Sequence, residues 1–187
     1  ERGGRSARRD GDAVTFPRYL PSHHGRPTNT RYVAPRIVVS CAEGVRHRDL
    51  GDEPRVVLDL RSDTGDGDVD AWERSGHPRC VLHHRRINID DLPHVFHASK
   101  GTADEVVEWY VAMRQKWPDA LLVVNCFSGR NRSASAAYVI LRAAYGLGHA
   151  EALDRVRTRD ELDVDENAPH PMLVEDIETW CNGREKP

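Results

Sequence analysis

The sequence predicts an α/β domain built on a central, mostly parallel sheet flanked by helices. Short runs rich in Val, Ile and Leu occur at 36–41 (RIVVSC), 55–60 (RVVLDL), 79–89 (RCVLHHRRINI) and 120–125 (ALLVVN). Gly, Pro and Asp bound them, so they read as mostly buried strands. Patterns of helical period lie between and after them, and strands that alternate with helices pair in parallel. The length, 187 residues and 21.1 kDa, suits a single domain of ordinary size with a tail.

Residues 1–30 hold only six apolar side chains among Gly, Pro, Arg and Asp. They read as an N-terminal extension or arm, laid over the domain by Phe16, Tyr19 and Leu20, with Arg2, Arg5, Arg8 and Arg9 solvated. The domain proper is expected to span 31–183. Its clearest helix starts at Thr102, where a capping Thr is followed three residues later by Glu105. Val106, Val107, Tyr110, Met113 and Trp117 then recur at helical spacing, and Pro118 ends the run. Further helices are expected at 132–145, closed by Gly146, at 150–157, and at 171–181 with Pro171 in its first position.

Composition removes several classes of function. Lys plus Arg total 27 against 30 Asp plus Glu, so no global basic field advertises nucleic acid. The longest apolar run is six residues, 136–141, too short for a spanning helix. Cys41, Cys80, Cys126 and Cys181 form no CxxC pair, so neither a zinc ribbon nor a disulfide framework fits. Reduced thiols in an intracellular, cytoplasmic setting are the expectation, with the three cysteines other than Cys126 packed in the interior. His83, His84, His94 and His97 lack a carboxylate or cysteine at ligand spacing, so no metal and no cofactor are expected.

The informative stretch runs from Val123 to Tyr138, VVNCFSGRNRSASAAY. Its Cys-x5-Arg pattern alone is weak, because Cys80 and Arg86 match it too. Context separates the two. The run after Cys80 has no Gly and continues as strand, whereas after Cys126 a buried strand ends, Gly129 permits a sharp turn and a helix begins at Arg132. A short loop ahead of a helix N-terminus turns backbone N–H groups into one concavity, where an anion is favoured. Such a setting lowers a cysteine pKa from about 8.5 to as low as ~3.5. Arg132 offers a planar fork for two phosphate oxygens, and Cys126 a nucleophile for phosphorus. The backbone of Phe127, Ser128, Gly129, Arg130, Asn131 and Arg132 would line the cradle, with Ser133 donating to the departing thiolate.

On these residues the stretch from 31 to 183 resembles a dual-specificity protein tyrosine phosphatase domain of the small atypical kind. Cys126, Gly129, Arg132 and Ser133 match that family's loop position by position. The resemblance implies a cysteine-phosphatase fold, a phosphocysteine intermediate and a phosphorylated protein as substrate, on phosphotyrosine and phosphoserine/threonine. Ile87–Asp91 (INIDD) is similar to the strand leading into the family's general-acid loop, which puts Asp91 in the acid's place, with Asp90 as the alternate. Tyr32–Ser40 is similar to its first strand.

Two departures matter. Asn125 stands where the family usually has a His that orders the loop and tunes the thiol. Arg130 resembles phosphoinositide phosphatases, and Asn131 the RNA 5′-triphosphatase branch, so a phosphoinositide or an RNA 5′-phosphate is the alternative substrate. A pseudophosphatase that binds phosphorylated partners without turnover is the alternative from another class. Trp117-Pro118-Asp119 spells the acid tripeptide of the larger tyrosine-specific relatives, but Asp119 precedes strand 120–125, which spans roughly 20 Å at ~3.3 Å per residue. Asp119 therefore belongs at the far end of the sheet from Cys126.

Overall fold

The computed structural model describes residues 16–20, 30–42, 50–62, 80–89, 101–157 and 169–184. Within them six strands form one sheet. In chain order these are β1 (Arg18–Tyr19), β2 (Arg31–Ala34), β3 (Ile37–Ser40), β4 (Arg55–Asp59), β5 (Val81–Arg86) and β6 (Leu121–Asn125). The lateral order is β1-β2-β3-β6-β4-β5. β3, β6, β4 and β5 run parallel, while β1, β2 and β3 join antiparallel. The apolar run at 36–41 is thus half of a hairpin rather than a lone first strand. Arg36 makes the corner with φ 59°, held as its guanidinium donates to Glu53 at 2.8 Å and to the Asp119 carbonyl at 2.6 Å. The stretch expected as an arm supplies β1, with Arg18 over the Tyr32 ring at 4.6 Å and Phe16 beneath Arg155.

Among the described residues the helices are α1 (Thr102–Lys116), α2 (Arg132–Ala143), α3 (His149–Val156) and α4 (Pro171–Arg184). Thr102 is not the cap of α1 but its first helical residue. Gly101 precedes it at φ 101°, and the Gly101 carbonyl accepts the first helical bond, from Glu105 N at 2.9 Å. The expected stripe on α1 packs inward, with Val106 and the additional Trp109 buried. In α2, ten of twelve residues are buried, which makes it the central helix of the domain. Its Tyr138 hydroxyl and Arg142 guanidinium both donate to Glu178 on α4, at 2.5 and 2.7 Å.

Buried residues of these four helices share one core with Ile37, Val39, Val56, Leu58, Leu122 and Val124 of the sheet. The opposite face presents Val38, Val57, Leu121 and Val123, covered among the described residues by Leu50, Leu20 and Val81. Burial on both faces is why these strands read as continuous apolar runs rather than alternating ones. Of the cysteines expected inside, Cys181 is buried, but Cys41 and Cys80 are half-buried, each lying just beyond the end of a strand. The second Cys-x5-Arg match is strand, as its lack of Gly foretold: residues 81–86 are β5.

Candidate active site

The site is built at the carboxyl end of β6, where the chain turns from the sheet into α2. In sheets of this kind ligand sites lie outside the carboxyl ends of the strands. At this level the ladder aligns Ser40 of β3 with Asn125 of β6, Asn125 with Asp59 of β4, and Asp59 with Arg86 of β5. A row of polar residues therefore closes the apolar sheet beneath the loop.

Cys126 follows Asn125 and is 1% exposed, its amide donating to the Ser40 carbonyl at 3.3 Å. The Phe127 carbonyl accepts from Ala42 N at 3.2 Å, which extends the strand contact into the loop. Gly129 adopts φ 76°, a conformation open to Gly at little cost, and this bend brings its N–H onto Cys126 Sγ at 3.3 Å. On the first turn of α2, Ser133 Oγ lies 3.2 Å from the same sulfur. The amides of Arg132, Ser133 and Ala134 have no acceptor within the helix, so that end carries partial positive charge. The sulfur is thus met by a loop amide and a hydroxyl at a helix N-terminus, a concavity that favours a bound anion.

Arg132 is 1% exposed, and its Nη1 donates to the carbonyls of Leu60 at 3.1 Å and Ile89 at 2.9 Å. These carbonyls belong to the segments leaving β4 and β5, so one guanidinium gathers three strand ends around the loop. Phe127 is 59% exposed, Ser128, Arg130 and Asn131 are half-buried, and Gly129 and Ser133 are buried. The Asn131 Oδ1 accepts from His170 N at 3.1 Å, fastening the start of α4 to the loop. Asp90 and Asp91 lie outside the described residues, as do His94 and His97. Asp119 stands before β6, at the end of that strand opposite Cys126.

One group beneath the loop had no place in the sequence reading. Asp59 is fully buried, and its carboxylate accepts from the backbone N, Nε and Nη2 of Arg61 at 3.1, 2.9 and 2.6 Å. Asn125 Nδ2 donates to the same carboxylate at 3.1 Å, and His84 Nε2 and Arg86 Nε approach it at 3.6 and 3.9 Å. Burial alone would push the Asp59 carboxyl up, but His84 and the Arg61 contacts outweigh it and hold the pKa down to about 2. Asn125, just before Cys126, is thus fixed to a buried carboxylate. The signal was present in the sequence as an Asp and an Arg at the end of an otherwise apolar run, LDLRS.

No protein-family model matches the chain, and no curated protein does. Solved structures do. Human DUSP28 superposes with a TM-score of 0.60 at 15% identity, covering 90% of this chain and 99% of that one. The fold is dual-specificity phosphatase-like. DUSP15 superposes with a TM-score of 0.62 at 16% identity over 84% of this chain and 90% of its own. PTPMT1, solved in complex with PI(5)P, superposes with 0.58 at 12% identity over 82% and 95%. Likeness at this identity establishes the dual-specificity phosphatase-like architecture expected from the loop, and with it a phosphatase fold. No helix among the described residues is long and apolar enough to cross a membrane.

Proposed function

We propose that the chain is a phosphomonoester hydrolase that works through a phosphocysteine, with Cys126 as nucleophile, Arg132 as phosphate clamp and Asp91 as general acid. The observation that carries this reading is the convergence on Cys126 Sγ of the Gly129 amide at 3.3 Å and the Ser133 hydroxyl at 3.2 Å. In the first step the thiolate attacks phosphorus, an S–P bond forms, and the P–O bond to the leaving group breaks as its oxygen takes the Asp91 proton. In the second step water attacks phosphorus and gives its proton to Asp91, and the S–P bond breaks. The departing thiolate accepts a hydrogen bond from Ser133.

The amides of Phe127 to Arg132 bind the nonbridging oxygens throughout. Asp91 follows by two residues Ile89, whose carbonyl Arg132 holds at 2.9 Å. Phosphorylated protein is the substrate class this reading favours, by the likeness to dual-specificity phosphatases. PTPMT1 was solved with a phosphoinositide, and Arg130 keeps that substrate as a second reading. Asn131, which carried the likeness to the RNA 5′-triphosphatase branch, has its side-chain oxygen engaged by His170 N at 3.1 Å.

The test is hydrolysis of a small aryl phosphate between pH 5 and 8. The wild type is expected to give a bell-shaped profile with its maximum below pH 7, since the acid must be protonated while the sulfur is ionised. Asp91→Asn is expected to lower the maximum by about 10²-fold and remove the alkaline limb. A rate that climbs steadily to pH 8 in both proteins would move the acid elsewhere, with Asp90→Asn tested next. Ser133→Ala is expected to slow steady turnover by about tenfold and to produce an initial burst of the phenol, because the hydrogen bond that eases departure of the thiolate in the second step is lost. Turnover of phosphopeptides, phosphoinositide vesicles and triphosphorylated RNA then ranks the substrates.

A further inference from the structure

Arg31 opens β2 and is wholly buried, an unusual place for a side chain that carries permanent charge. It pairs with Val39 across the hairpin, and Val39 pairs with Val124 of β6, so Arg31 enters the sheet two strands from the nucleophile's own. Its Nη1 donates to the Gly129 carbonyl at 3.0 Å, and its Nη2 to the Val156 carbonyl, in the last turn of α3, at 2.6 Å. The second contact satisfies one of the carbonyls that every helix leaves unpaired at its C-terminus, and it sets a cation at the negative end of the helix. The first contact bears on the cradle.

Across a trans peptide the C=O and the following N–H point in opposite directions. A Gly129 carbonyl turned back onto Arg31 therefore turns the Arg130 N–H away from Arg31, while the Gly129 N–H faces Cys126 Sγ at 3.3 Å. A carbonyl left without a donor at this buried bend would be free to rotate, and with it the amide on its other side. We propose that Arg31 is a positioning residue for the anion cradle. Its guanidinium locks the Gly129–Arg130 peptide with the Arg130 amide facing the phosphate, and anchors that lock on α3. The charge behind the peptide also polarises it, which strengthens the amide as a donor.

This inference rests on the proposed phosphatase reading, and inorganic tungstate, a phosphate-shaped anion that needs no turnover, separates the two. Calorimetric titration of tungstate into the full chain is done for wild type, Arg31→Lys and Arg31→Met, well below each melting temperature. Aryl phosphate kinetics and melting curves accompany it. Arg31→Lys is expected to weaken tungstate about tenfold and to raise KM more than it lowers kcat, since one ammonium cannot hold both carbonyls in the fork's geometry. Arg31→Met is expected to weaken tungstate further, having lost the charge as well.

Variants that melt cooperatively and bind tungstate as tightly as wild type overturn the proposal, whatever their melting temperatures, because a purely structural residue changes stability and not affinity. If neither variant folds, Arg31 serves the fold rather than the cradle, and the proposal falls. Wild type that binds tungstate without hydrolysing aryl phosphate overturns the phosphatase reading alone, and the affinities still decide the role of Arg31. Wild type that does not bind tungstate overturns both.

Discussion

Cys126→Ser is expected to abolish aryl phosphate hydrolysis, by more than about 10⁴-fold, while leaving tungstate binding within a few-fold of wild type. The two halves follow from different parts of the site. Covalent catalysis needs a sulfur that is ionised near neutral pH, and a serine hydroxyl without an adjacent base is not a nucleophile. Anion binding depends on amides whose directions are set by Gly129 at φ 76°, by the Ala42 to Phe127 bond and by the start of α2. Of these amides the Gly129 N–H meets the sulfur at 3.3 Å, and a serine oxygen can accept from it in the same place. The replacement is nearly isosteric in a site already 1% exposed, so the fold tolerates it. Hydrolysis surviving in the serine variant would sink the phosphocysteine mechanism. Inactive wild type that still binds tungstate would leave a module that recognises phosphate without turning it over.

Asp59→Ala is expected to cost about 3–5 kcal/mol of stability, the usual consequence of removing one member of a buried ion pair. Arg61 is only 5% exposed and loses the bidentate partner at 2.6 and 2.9 Å, and Asn125 loses the acceptor of its amide. Chemical denaturation at pH 7 measures the loss, and a variant that unfolds with the wild-type midpoint and slope would show that the carboxylate anchors nothing. The same group gives an acid signature. Its pKa lies below its unfolded value of 3.8, at about 2. A carboxyl depressed in this way stabilises the folded state above its unfolded pKa, and that stability is lost as pH falls through the folded one. Wild type should therefore lose about 2 kcal/mol from this group between roughly pH 4 and pH 2. Asp59→Asn removes that part of the slope, and an unchanged slope would assign acid unfolding to other carboxyls.

The loop itself was legible in the sequence because its parts are contiguous. A buried strand, a glycine bend, an arginine and the start of a helix follow one another within 121–143, and short-range rules of strand, turn and helix decide each. The alternation of such runs also gave the sheet its parallel centre and put Asp119 at the wrong end. Pairing between segments far apart in the chain leaves no such local pattern. A two-residue corner at Pro35 and Arg36 was invisible because Arg36 is not a residue that announces positive φ. Thr102 and Glu105 spell a capping box, yet Glu105 forms a salt bridge with Arg85 on β5, a partner that local pattern does not weigh.

What the sequence determined alone is therefore the chemistry at hand, a thiol, a bend and a guanidinium in one short loop, and the α/β class that presents them at a strand end. What only the tertiary structure decided is how that loop is held. Arg31 reaches Gly129 across 98 residues of chain, and Asn125 meets Asp59 across 66. The strand order β2-β3-β6-β4 makes these residues neighbours, and no periodicity along the chain encodes lateral order in a sheet. Which polar side chains end up buried together depends on which strands lie side by side, and that is settled by the packing of the whole domain.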